Sequence, residues 1–104
     1  MVARITDANF EKIVAESAAP FFLLFTSPWC TTCKKISPVL DMLSQRYPQI
    51  GFGRIDISAN LVVPSEHDVL SIPSLLVFRD GKELARFTGK LDEEKLRKEA
   101  EKYS

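Results

Sequence analysis

The apolar residues of this chain fall into short continuous runs separated by stretches with helical spacing. Val2–Ile5 suits a short first strand, and Thr6 or Asp7 then stands where a helix N-cap belongs, ahead of Phe10, Ile13 and Val14 at helical spacing. Ser17-Ala18-Ala19-Pro20 ends that helix. Phe21-Phe22-Leu23-Leu24-Phe25 is too short for an ordinary helix and too continuous for a strand with one wet face. It predicts a central strand covered on both sides. Residues 31–47 predict a long helix with Cys33, Ile36, Val39, Leu40 and Leu43 on its buried side and Lys34, Lys35, Asp41 and Gln45 outward. Pro38 lies inside this pattern, where it removes a hydrogen bond and should kink the helix.

Residues 51–57 predict a further strand, and 58–71 a less regular connection with a short helix around 64–68. Residues 74–78 form another apolar run, and Asp80-Gly81 is a hairpin turn into residues 83–88, so the last two strands should be antiparallel. Gly89 breaks the chain before a charged amphipathic helix over 91–103, with Leu91, Leu96 and Ala100 inward. The order β-α-β-α-β-α-β-β-α implies an α/β fold: a mixed sheet of five strands with four helices spread over both faces.

Composition narrows the function rather than the fold. A length of 104 residues suits one domain, residues 1–104, large enough to bury a core without staples. Lys plus Arg and Asp plus Glu balance at 14 each, so no basic field speaks for nucleic acid or an anionic membrane. No apolar stretch approaches the roughly 20 residues of a membrane span. Met1-Val2-Ala3-Arg4-Ile5 lacks a basic segment followed by an apolar one, which makes a cytoplasmic protein the expectation. A chain already freed of a leader would read the same way.

The chemistry concentrates in Trp29-Cys30-Thr31-Thr32-Cys33-Lys34, which holds the only two cysteines. The strand before it and the helix after it place Cys30 at a helix N-terminus, where unsatisfied N–H groups and the macrodipole favour a thiolate. Cys33 follows one helical turn along the same face, within reach of a disulfide. The loop such a bond closes is so small that it removes little unfolded-state entropy, so a reversible role outweighs a structural one. Two packed, inert thiols are the alternative. Metal binding is weaker: with His67 the pair makes three ligands and lacks a fourth. Lys34 and Lys35 read as a solvated face, or as cations that swing back toward the thiolate.

In this framework the chain resembles the thioredoxin family over nearly its whole length. Ile5-Thr6-Asp7-Ala8-Asn9-Phe10 is similar to the family's opening strand and helix, residues 25–34 to its active-site segment, and Pro38 to its helix-kinking proline. Ser71-Ile72-Pro73-Ser74-Leu75 resembles the family's cis-proline loop, and Phe78-Arg79-Asp80-Gly81-Lys82 with Gly89 its terminal hairpin and the glycine beyond. The resemblance implies the thioredoxin fold and a thiol–disulfide oxidoreductase that reduces protein disulfides without a bound cofactor. Cys30 would then attack and Cys33 resolve. Trp29, Thr31, Thr32, Ile72, Pro73 and Gly89 would receive the substrate, the Ile72 backbone pairing with an extended substrate segment in a short strand addition. A thioredoxin-reductase-type donor would recharge a protein that acts as a monomer. Trp29 could at the same time be a partly buried packing residue, and Gly89 a plain strand-to-helix turn.

Three departures from the family pattern stand out. Thr31-Thr32 replaces the usual Gly-Pro, Leu24 stands where a buried aspartate is usual, and Arg54 takes the place of the lysine beside that aspartate. Asp56, two residues along the strand, is the expected partner of Arg54, unless both side chains are simply exposed. Oxidoreductases of this fold differ by roughly 150 mV, on the order of five decades in equilibrium constant. An oxidase or isomerase of an oxidising compartment therefore stays open as an alternative, as does a redox-weak binding module.

Overall fold

The computed structural model describes all residues, Met1–Ser104. Its five strands are β1 (Val2–Ile5), β2 (Phe21–Thr26), β3 (Gly51–Asp56), β4 (Ser74–Arg79) and β5 (Lys82–Thr88). They form one sheet in the order β1-β3-β2-β4-β5. β1 and β2 run parallel to β3, β4 runs antiparallel to β2, and β5 antiparallel to β4. The helical elements are a π-helical segment (Glu11–Ala15), α1 (Thr31–Arg46), α2 (Val62–Glu66) and α3 (Glu93–Glu101).

β2 is buried along its apolar run because side chains on both faces find a core. Phe22 and Leu24 join Ile36, Leu40 and Leu43 of α1, Leu96 and Ala100 of α3, and Phe52, Leu75 and Val77 of the neighbouring strands. Phe21, Leu23 and Phe25 point the other way, into a cluster with Phe10 and Val14 from the first helical segment and Val63 from α2. The period of two along β2 thus divides one strand between two cores, which fixes its register on both sides.

The first helix departs from expectation. Its N-cap position is Phe10, with no side-chain cap, and Thr6 instead closes the turn ahead of it: its Oγ1 accepts from the Asn9 N–H at 3.2 Å, while its own N–H donates to Asn9 Oδ1 at 2.7 Å. The segment beyond widens, however, and the Glu16 N–H bonds back to Glu11 O. A turn wider by one residue keeps Phe10 and Val14 inward and swings Ile13 out to 37% exposure, so Ile13 is not a core residue. Asp7, the other candidate cap, instead accepts from the Val62 and Val63 N–H groups at 3.1 and 2.9 Å and caps α2 from across the fold. Within α1, Val39 is only half-buried and Ser44 takes a buried place. The last helix is shorter than its periodicity, because Asp92 caps it through the Lys95 N–H at 2.8 Å.

The β4–β5 turn has positive φ at both Asp80 (54°) and Gly81 (79°), as a two-residue hairpin requires. Its tip is tied to the first helical segment: Asp80 N–H donates to Ser17 O at 3.1 Å, and a Cβ on Gly81 would lie 3.2 Å from Ala15 O.

Candidate active site

At the carboxyl end of β2 the chain leaves the sheet through Ser27-Pro28-Trp29 and enters α1 at Cys30. Cys30 is the N-cap of α1, in extended conformation (φ −84°, ψ 106°), and its Sγ accepts from the Cys33 N–H at 3.1 Å. A sulfur thus occupies the place usually taken by a serine or aspartate oxygen, facing the free N–H groups of the first turn. Charge on that sulfur would be stabilised both by this hydrogen bond and by the helix dipole. Cys30 and Cys33 are joined as a disulfide, with Cα atoms 5.2 Å apart. Their surroundings differ. Cys30 is half-buried, whereas Cys33 is 1% exposed beneath it.

The sheet brings the other candidates to the same end. Ser74, the first residue of β4, pairs with Phe25 on one side and Thr88 on the other. Pro73 therefore lies beside the chain that runs on to Cys30, and Gly89 lies next to Pro73 on its far side. The Ile72–Pro73 bond is cis, with Pro73 buried and Ile72 half-buried. Gly89 has φ of 76°, a region closed to most side chains, and nothing lies within 4 Å of where its Cβ would stand. Space for a neighbouring backbone is thus open there. Thr31 and Thr32 are exposed, as are Lys34 and Lys35. Trp29 is 77% exposed, so it is not partly buried as a packing role would have it.

On the face of β2 that α1 covers, Leu24 is 1% exposed and pairs in register with Arg54. Arg54 does not pair with Asp56. Its Nε donates to Ser37 Oγ at 2.6 Å, and its Nη2 to Ser37 O at 3.2 Å and Asp41 Oδ1 at 2.7 Å. The side chain stands on the face covered by α1, where Ser37 and Asp41 follow Cys33 at successive turns. Asp56 is occupied by its own turn, accepting at Oδ1 from the Ser58 N–H at 2.9 Å and hydroxyl at 2.6 Å. Sequence spacing offered no sign of the Arg54–Ser37–Asp41 contact, which joins a helix and a strand. His67 packs between Phe10 and Phe78 with its Nδ1 2.9 Å from Val63 O. No group of three His, Cys, Asp or Glu side chains is placed to hold a metal ion. Leu70, shortly before the cis-proline, is 96% exposed, and no pattern in the sequence had marked it.

A mixed five-stranded sheet that delivers an N-capping cysteine, disulfide-bonded one turn along its helix and set beside a cis-proline, defines a dithiol–disulfide exchange protein. The thioredoxin family model matches residues 1–102. A thioredoxin of Haemophilus influenzae is 36% identical over 96 residues, covering 91% of this chain and 90% of its own. Thioredoxin 1 of Synechococcus elongatus is 34% identical over 90 residues, covering 86% and 84%. The thioredoxin of Porphyra purpurea is 30% identical over 103 residues, covering 98% and 96%. The chain belongs to the thioredoxin family. With its disulfide-forming pair it is a thiol–disulfide oxidoreductase of the protein-disulfide reductase class.

Proposed function

We propose that Cys30 is the attacking sulfur and Cys33 the resolving one, in a cycle that reduces protein disulfides. The observation that carries this assignment is the asymmetry of the pair: Cys30 half-buried at the helix N-cap, Cys33 1% exposed below it. The Cys30 thiolate attacks a substrate disulfide, forming a mixed disulfide and releasing one substrate thiolate, which takes up a proton. The Cys33 thiolate then attacks Cys30 Sγ, releasing the second substrate thiolate and leaving the Cys30–Cys33 disulfide seen in the structure. Two electrons pass from the dithiol to the substrate. A dithiol donor of the thioredoxin-reductase type restores them, by the same exchange in reverse.

Trp29, Thr31, Thr32, Ile72, Pro73 and Gly89 form the receiving surface in this reading. The exposed Trp29 and the open space at Gly89 support it, as does the cis bond ahead of β4. The second step has an unusual setting. Cys33 must lose a proton while buried near Leu24, and burial among apolar groups holds a thiol up rather than down. With leucine at position 24 and no carboxylate there to take that proton, resolution is slower near neutral pH or passes its proton to water. In this reading the protein works as a monomer in the cytoplasm.

Two measurements test this direction of flow. Insulin disulfides should be reduced with dithiothreitol as donor, and activity should vanish in Cys30→Ser. The equilibrium potential against glutathione should fall nearer the roughly −270 mV of reducing members of the fold than the roughly −120 mV of oxidising ones. A value at the oxidising end would make the protein an oxidase.

A further inference from the structure

A cavity of about 250 Å³ opens at the carboxyl ends of the three parallel strands, beneath the loop that carries the active site. Its lining is Arg4 and Ile5 from β1, Thr26 from β2, Arg54 and Asp56 from β3, Ser27 and Pro28 from the active-site loop, and Asn60. This is where parallel α/β sheets most often hold ligands. Two small residues, Thr26 at the end of β2 and Ser27 after it, line the cavity where the chain turns into the redox loop.

The charges in this lining are unusual. Arg4 and Arg54 are register partners on adjacent strands, and in a sheet such partners stand about 5 Å apart on the same face. Like charges in that position repel. Arg54 is relieved by Asp41 through its Nη2, which leaves Nη1 without a partner. Arg4 has no ion pair in the protein. The Thr26 and Ser27 carbonyls accept from the Ile57 and Cys30 N–H groups, but their hydroxyls are engaged by nothing. Both faces of the Asn60 amide are used, its Oδ1 by the Asp7 N–H and its Nδ2 on Asp56 O. Unspent donors therefore converge: two guanidinium groups and two hydroxyls. Against them stands the single carboxylate of Asp56, whose Oδ1 is already bonded twice by Ser58.

We propose that this cavity is a carboxylate subsite for the substrate: it takes an acidic side chain lying a few residues from the disulfide that Cys30 attacks. Pro28 walls the cavity and is two residues from Cys30, a span of at most about 7 Å, so a group held there and the reacting sulfur belong to one substrate. With Asp41 already balancing Arg54 and Asp56 in the lining, the donors left over, on Arg4, Arg54 Nη1 and the two hydroxyls, suit a singly charged anion at most. The Asp56 carboxylate disfavours a phosphate dianion, which would bring more negative charge against it. The proposal rests on the reductase reading above but is read by measurements that separate the two.

The test pairs kinetics with binding. Two disulfide peptides, identical except for Glu or Gln two residues from the cysteine, are compared as substrates at constant ionic strength. The Glu peptide should be favoured three- to tenfold in kcat/KM, and Arg4→Gln should abolish the preference while leaving turnover of the Gln peptide unchanged. Independently, butyrate titrated into isotopically labelled protein should move the Thr26, Ser27 and Asp56 amide resonances saturably and more tightly than inorganic phosphate does. Thr26→Trp, which fills the cavity, should remove those shifts, and Arg4→Gln should weaken them should the tryptophan variant fail to fold. Equal turnover of the two peptides overturns the proposal. Butyrate binding without a peptide preference overturns the substrate assignment, leaving a site for free carboxylates. Absence of saturable shifts with butyrate overturns the subsite itself and leaves a water-filled cavity. Failure to turn over the Gln peptide would instead count against the reductase reading, while the butyrate titration would still decide the subsite.

Discussion

Leu24 and Arg54 face one another across β2 and β3 with no acid between them, and the guanidinium turns to Asp41 on α1 instead. That pair is worth little to the fold: Arg54 is 30% and Asp41 57% exposed, and solvent screens such contacts to under about 1 kcal/mol. Asp41→Asn should therefore shift the urea midpoint only slightly. Leu24→Asp is the sharper experiment. A carboxylate there lies in register with Arg54 and can take the proton that Cys33 must lose. The mixed disulfide should decay several-fold faster near pH 7, read by quenching and mass spectrometry, whereas unchanged decay would remove Leu24 from the account. The same substitution buries a charge, so the oxidised protein should lose on the order of 1–3 kcal/mol in urea unfolding. The oddity of Leu24 was legible in the sequence through the resemblance to the family, which usually carries an aspartate at that place ahead of the cysteines. The partner of Arg54 was not. Ser37 and Asp41 reach it only once α1 lies across the sheet, and strand periodicity points to Asp56.

Among the elements, two side-chain networks hold what local pattern leaves loose. Arg86 on β5 donates to both carboxylate oxygens of Glu83 at 2.8 Å, and also to the His67 and Asp68 carbonyls beyond α2. It thus ties the segment leading to the cis-proline onto β5. The Arg86 hydrogen bonds hold the Glu83 carboxyl below the usual carboxylate range despite some burial. A depressed carboxyl stabilises the fold above its unfolded value and loses that contribution as pH falls through its folded one. Both groups are about one-third exposed, so the effect should stay under about 1 kcal/mol, lost on the acid side of pH 4. Arg86→Ala should also speed amide hydrogen exchange between residues 67 and 72.

At the other end, the Tyr103 hydroxyl donates to Glu99 at 3.0 Å, and Lys102 pairs with the same carboxylate at 3.0 Å. Burial first, then the bond to Glu99, raises the Tyr103 pKa. A raised phenol contributes stability that is complete below about pH 10 and is lost as pH rises through the higher folded value. Tyr103→Phe should cost about 1 kcal/mol at neutral pH and remove that part of the alkaline loss, measured by urea unfolding across pH 8–11. Helical periodicity announced Leu96 and Ala100 but not the buried Glu99, at 4% exposure, because a glutamate on an amphipathic helix reads as solvent-facing until its neighbours are known.

Across the molecule, the apolar runs and turn residues carried most of the architecture, since β2 could be central only if both its faces were covered. What pattern could not supply was convergence: the N-terminus of α1, the cis-proline loop and Gly89 are distant in sequence and meet only through the pairings of Ser74 with Phe25 and Thr88. Because two cores flank the sheet, the disulfide is not what holds the chain together. Closing so small a loop adds at most about 2 kcal/mol. Reduction should therefore lower the melting temperature while leaving a folded protein with native circular dichroism.

The central claim is the division of labour between the two sulfurs, and trapping reads it directly. Each single variant, Cys30→Ser and Cys33→Ser, is reduced and exposed to a protein disulfide, and mixed disulfides are identified by mass after acid quenching. Cys33→Ser should accumulate a stable adduct through Cys30, and Cys30→Ser should form almost none. An adduct forming as fast through Cys33 in the Cys30→Ser protein would contradict it.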